Sequence, residues 1–155
     1  MRSEPSLVQT VLQPGLSLAH LRQVFGRLPL PPVAMRTGFY RARFIGPWWL
    51  RGSGPLGGLP GWQGKRFLAP DLATNVLLCR GRPIERFELH CTESASPING
   101  RPSVLLDYGA QAPRPWRWVR DELRALDGDR LLGMTVIDLP GVRGQPFPFL
   151  LERPA

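Results

Sequence analysis

The period of the side chains most constrains what this chain can fold into. From residue 38 onward, large apolar residues alternate with polar or small ones in short runs, and each run stops at a turn signal. A period of two belongs to a β-strand with one buried face. The runs cover 38–44, 65–69, 74–80, 83–94, 103–108, 116–126, 130–139 and 146–153. Pro70-Asp71, Asn99-Gly100 and Asp127-Gly128-Asp129 separate several of them. Asn-Gly suits the positive φ of a two-residue type I′ hairpin. Evenly spaced strands on short turns predict a mainly β chain, an antiparallel up-and-down barrel of about 7–9 strands, because closure removes exposed sheet edges.

Ahead of the strands, residues 1–16 read as an irregular lead-in broken by Pro5 and Pro14. Ser17 is a helix cap. Leu18, Leu21, Val24, Phe25 and Leu28 then recur at helical spacing, which predicts one short amphipathic helix over 17–28, stopped by Pro29 and Pro31-Pro32. Its apolar stripe packs on the barrel or closes one end. Residues 45–64 form a long glycine- and proline-rich connection carrying Trp48, Trp49 and Trp62. Loops this long are often functional, and their aromatics pack down as a lid or plug. With 155 residues and no internal repeat, the chain reads as a single domain whose barrel spans 38–153.

The net charge of +8 would ordinarily suggest nucleic acid. Lys65 is the only lysine, however, and the arginines are spread along the chain without a basic run. That usage looks like the codon bias of a GC-rich genome, and nucleic acid is not the expected partner. No apolar run approaches the roughly 18 residues of a transmembrane helix, and the first residues lack the apolar core of a signal peptide. The expected location is the cytoplasm. Cys79 and Cys91 form no CxxC pattern and read as reduced, half-buried strand residues. His20 and His90 are too far apart to suggest a metal site, and His90 reads as exposed.

The run around Asp121 is the most informative for charge. Val119, Asp121, Leu123 and Ala125 share one face, while Arg120, Glu122 and Arg124 share the other, which reads as solvated and self-paired. A carboxylate among apolar neighbours must be hydrogen-bonded, paired with a cation or protonated. Asp121 therefore either fixes the barrel by pairing with an interior Arg or a Trp N–H, or serves a pocket as anchor or general acid/base. Arg41 and Arg43 alternate with Tyr40, Ala42 and Phe44. Facing inward they would suit a carboxylate; the preferred reading places them outside. No serine lies in a G-x-S-x-G elbow, and no GxGxxG opens a helix.

Gly38-Phe39-Tyr40-Arg41-Ala42 and Gly61-Trp62-Gln63-Gly64-Lys65-Arg66-Phe67 carry a family resemblance. The chain resembles the GXWXG-domain proteins, small uncharacterised bacterial proteins with a helix ending in prolines, a Gly-x-Trp-x-Gly strand, a glycine-rich loop and Trp-x-Gly-Lys-x-Phe. Trp62, Gly64, Lys65 and Phe67 match the last element in full. In the first, Tyr40 replaces the Trp and Ala42 the second Gly. The resemblance spans about residues 18–153 and implies a lipocalin-like or fatty-acid-binding-protein-like barrel with no established reaction.

A barrel of about eight strands can hold one small molecule, so the expected partner is an apolar or amphipathic, lipid-like ligand. Tyr40, Trp49, Trp62, Lys65, Tyr108 and Asp121 are the candidate ligand-binding residues. Lys65 can cap loop carbonyls, stack on Trp62 or offer its charge to an anion. No cofactor is expected: a haem barrel needs an axial ligand, and neither histidine lies on the last strands. Two alternatives stand beside binding. One is a cofactor-independent isomerase, cyclase or hydrolase using Asp121 and Tyr108; the other is a protein-interaction module. A homodimer is compatible with either.

Overall fold

The structure is a computed structural model, and it describes residues 6–47 and 61–155. Eight strands run in chain order: β1 (Gly38–Phe44), β2 (Trp62–Ala69), β3 (Leu72–Cys79), β4 (Arg82–Ala95), β5 (Pro102–Asp107), β6 (Val119–Ala125), β7 (Arg130–Ile137) and β8 (Phe147–Glu152). Each pairs antiparallel with the next, and β1 also pairs with β8, so the sheet closes. The closing strand divides its partners: Gly38 to Arg41 face β2, whereas Arg41 to Phe44 face β8.

Two helices precede the barrel where the sequence suggests one. α1 (Leu7–Leu12) lies in the stretch read as an irregular lead-in. It is held by a capping box, in which the Ser6 hydroxyl accepts from Gln9 N–H and the Gln9 side chain accepts from Ser6 N–H. α2 (Leu18–Arg27) starts at the expected Ser17 cap and buries Leu21, Val24 and Phe25.

α2 does not enter the bore. Its apolar stripe packs on the outside of the sheet with Ile45, Leu132, Met134 and Leu150. This corrects the reading of Arg120, Glu122 and Arg124 as a solvated face. Arg120 is exposed, but Glu122 and Arg124 are fully buried. Arg124 stacks on the Phe25 ring, donates to Phe25 O at 2.8 Å, and reaches Asn99 Oδ1 at 2.7 Å. Glu122 lies beside the Ser96 and Ser103 hydroxyls, but neither carboxylate oxygen has a well-formed hydrogen bond. Burial pushes its carboxyl above the ordinary value, against the pull of those hydroxyls and Arg124.

The segment after α2 closes one end of the barrel. Met35 joins the interior core, and its carbonyl accepts from Tyr40 Oη at 2.7 Å. Pro29 O accepts from Ala125 N–H at 3.0 Å, and Arg36 bridges Pro31 O and Glu93. The β1–β2, β3–β4, β5–β6 and β7–β8 connections all leave from the opposite end.

Two turns differ from expectation. Asn99-Gly100 is not a two-residue hairpin: the loop runs from Ser96 to Arg101, and only Gly100 has positive φ. The Asn99 side-chain oxygen Oδ1 instead accepts from Arg101 N–H and from the Arg124 guanidinium. The tight turn with two positive φ values is Arg80-Gly81, between the paired residues Cys79 and Arg82. Cys79 is exposed and Cys91 buried, and both are free. His90 is exposed, as are Arg41 and Arg43, which leaves Tyr40, Ala42 and Phe44 on the inner face.

Candidate functional site

The bore is apolar at its closed end, where Met35, Tyr40, Phe67, Leu89, Val104, Leu123, Leu131 and Leu151 meet. Toward the other end the same alternation delivers polar side chains. Register aligns Tyr40 with Lys65 and Lys65 with Asn75 across β1, β2 and β3. It also aligns Leu106, Asp121 and Thr135 across β5, β6 and β7. All of these side chains therefore project inward.

Lys65 and Asp121 meet at 2.8 Å, with residue exposures of 1% and 4%. The Lys65 ammonium also donates to Asn75 Oδ1 at 2.9 Å. Asn75, with no exposed surface, uses its amide N–H groups on Tyr108 Oη at 2.9 Å and on Phe87 O at 3.2 Å. The Thr135 hydroxyl donates to the second Asp121 oxygen at 2.8 Å. Five polar side chains from five strands or their ends thus form one continuous network.

The electrostatics follow from burial. Burial, the largest single influence, pushes the Lys65 ammonium down, but the Asp121 carboxylate together with Tyr108 and Cys91 leaves its pKa above the ordinary lysine value. Burial pushes the Tyr108 phenol up, partly offset by Lys65. Cys91, on the same wall, is pushed up to about 12 by burial and stays an inert thiol.

A bulge in β4 completes the arrangement. Thr74 faces Glu88 and Asn75 faces Arg86, so Phe87 is an extra residue, with φ of 63°. Such a φ is rare outside glycine and costs on the order of 1 kcal/mol or more. The turn it produces aims the Phe87 carbonyl at Asn75. Phe87, Tyr108 and Trp116 stack beyond it, with centroids 5.7 Å and 5.8 Å apart.

Trp62 covers the network from the β2 side. Its ring packs on Phe44 and Phe149, and the Lys65 ammonium lies 5.5 Å from its centroid. Its indole N–H is buried and has no hydrogen-bond partner among the described residues. An unsatisfied buried donor costs about 1–3 kcal/mol.

Gly133 gives the Phe149 ring room, and Gly64 lets two strands approach closely. A Cβ on Gly64 would collide with the Tyr40 carbonyl, and one on Gly133 with the Phe149 ring. The Trp-x-Gly-Lys-x-Phe run thus has a local logic. Gly64 lets β2 approach β1, while Trp62, Lys65 and Phe67 face the bore.

Of the sequence-predicted residues, Trp62, Lys65, Tyr108 and Asp121 come together. Tyr40 faces the bore, but its hydroxyl is committed to the closed end. Trp49 lies outside the described residues. Asn75, Thr135, Phe87 and Trp116 belong to the site and were not singled out. Asn75 had a readable signal, a lone amide alternating with Ala73 and Leu77. No cluster of metal-binding side chains occurs among the described residues, nor any helix long and apolar enough to cross a membrane.

A crystal structure of a protein from Thermomonospora curvata has the same fold, with a TM-score of 0.65 over 91% of this chain and 90% of that one. The two are 21% identical, so the likeness is one of fold alone. No family model matches the chain, and no curated protein does.

Proposed function

We propose that this chain is a lipocalin-like binding protein that holds a small apolar or amphipathic molecule in the half of the barrel away from the Met35 plug. One observation carries this reading: the donors around the Lys65–Asp121 pair are not all spent. The Trp62 indole N–H has no partner among the described residues. The Tyr108 hydroxyl accepts from Asn75, which leaves its own proton without an acceptor among them. Aromatic walls at Phe44, Trp62, Phe149 and Trp116 suit an apolar body. The match of Trp62, Gly64, Lys65 and Phe67 to the GXWXG-domain pattern adds to it, since those residues sit at the site.

Native mass spectrometry of the purified chain, followed by titration with a fluorescent fatty-acyl probe, tests the proposal. A co-purified small molecule or saturable probe binding is expected. A consistently empty protein that takes up no probe would overturn the reading.

A second reading, catalysis without a cofactor, is favoured by the continuous chain from Tyr108 through Asn75 and Lys65 to Asp121. It ranks below binding because both Asp121 oxygens are already engaged, by Lys65 and by Thr135. A carboxylate already bonded to a buried ammonium and a hydroxyl is less available to take a proton from a substrate.

A further inference from the structure

Resting on the binding reading above, we infer that the site selects a neutral carbonyl compound, a long-chain ketone or ester, over a carboxylate, an amine or a plain hydrocarbon. The inference comes from balancing charge and hydrogen bonds inside the bore.

Lys65 and Asp121 cancel, so the network is electroneutral before any ligand arrives. The groups it leaves unsatisfied are donors. The Trp62 indole N–H and the Tyr108 hydroxyl proton have no acceptor among the described residues. Lys65 has three N–H groups, two of which go to Asp121 and Asn75. An amine would bring more donors and a second cation beside Lys65. A hydrocarbon would leave the indole N–H unsatisfied. A carboxylate would accept these bonds but would leave a buried net negative charge beside Lys65 and Asp121, which is costly unless paired. The third Lys65 N–H could reach a carboxylate, but one cation cannot neutralise both that anion and Asp121. A neutral carbonyl oxygen has two lone pairs, accepts from two donors and adds no charge.

The rival is a fatty acid whose carboxylate stays outside, because the exposed Arg80, Arg82, Arg114 and Arg117 lie at the same end of the barrel. Those arginines would hold an anion at the rim, away from Trp62.

The experiment titrates the full chain with dodecan-2-one, methyl undecanoate, dodecanoate, dodecylamine and dodecane, each below its aggregation limit. Affinity is read by calorimetry, and the Trp62 indole proton by NMR, assigned with W62F. The ketone and the ester should bind about tenfold or more tighter than the other three and should move the indole proton downfield. W62F should lose most of that preference, and Y108F, which deletes the other donor, supplies the same test should W62F fold poorly. Dodecanoate or dodecane binding as tightly as the ketone would overturn the carbonyl inference while leaving the binding reading intact. Binding with an unmoved indole proton would also overturn it. No binding by any of the five would overturn both.

Discussion

Lys65 and Asp121 sit on opposite walls of the barrel and meet across its bore at 2.8 Å. β2 and β6 are four strands apart in a ring of eight, so this ion pair spans a diameter. Its partners across the sheet, Asn75 and Thr135, fix both ends.

Removing one end of that pair leaves a buried charge without its counterpart, at a cost of roughly 3–5 kcal/mol. Asp121→Asn and Lys65→Met should each lower stability by about that much in urea unfolding. The double variant K65M/D121L should recover most of the loss. A D121N protein that keeps its affinity for the fluorescent probe would assign Asp121 to the architecture alone.

Glu122 should make the protein less stable as pH rises. Its folded pKa lies above the ordinary 4.5 because burial favours the neutral carboxyl. The folded state therefore binds that proton more tightly than the unfolded state. The stability this provides is complete below about pH 4.5 and is lost as pH climbs through the raised value. Glu122→Gln mimics the neutral form, so its unfolding midpoint should fall less than that of the wild type between about pH 4 and pH 8. Parallel curves for the two proteins would refute this.

Gly133→Ala forces a methyl group into the Phe149 ring. Overpacking of this kind costs about 1–3 kcal/mol. Phe149→Leu in the same chain should relieve part of it, which a thermal melt of the single and double variants will show.

The two tyrosines give an optical check. Burial pushes both Tyr40 and Tyr108 upward, with Arg153 and Lys65 respectively offering partial relief. Absorbance titration of the native protein should give little phenolate at about pH 10, where free tyrosine is half ionised. The same titration in denaturant should return the ordinary curve.

The barrel was legible in the sequence because its signal is local: the two-residue period is written into each strand. Asp121 was legible for the same reason, as the single acid on the face shared by Val119, Leu123 and Ala125. Its partner was not. Lys65 reaches it only because strand order and closure set β2 opposite β6, and alternation carries no information about what lies across a bore. Glu122 and Arg124 were misjudged from the complementary side. Their face does point out of the barrel, but α2 covers it, and a charged pattern cannot reveal what packs on top of it. Asn99-Gly100 misled because Asn99 spends its side chain on Arg101 and Arg124 rather than on a hairpin bend.

The divided pairing of β1 has a consequence for how the chain reaches this structure. Among the described residues, Ala42 to Phe44 find their strand partners only in Phe149 to Leu151 of the final strand. During synthesis the upper half of β1 must wait, as an open edge, until β8 leaves the ribosome. Such distant pairings are slow to form, because a long loop must close before the contact repays it. A nascent chain halted before β8 would expose both this half-strand and the outer side of β7, two edges ready to join a neighbour. Pairing of β8 with β1 and β7 covers both edges at once.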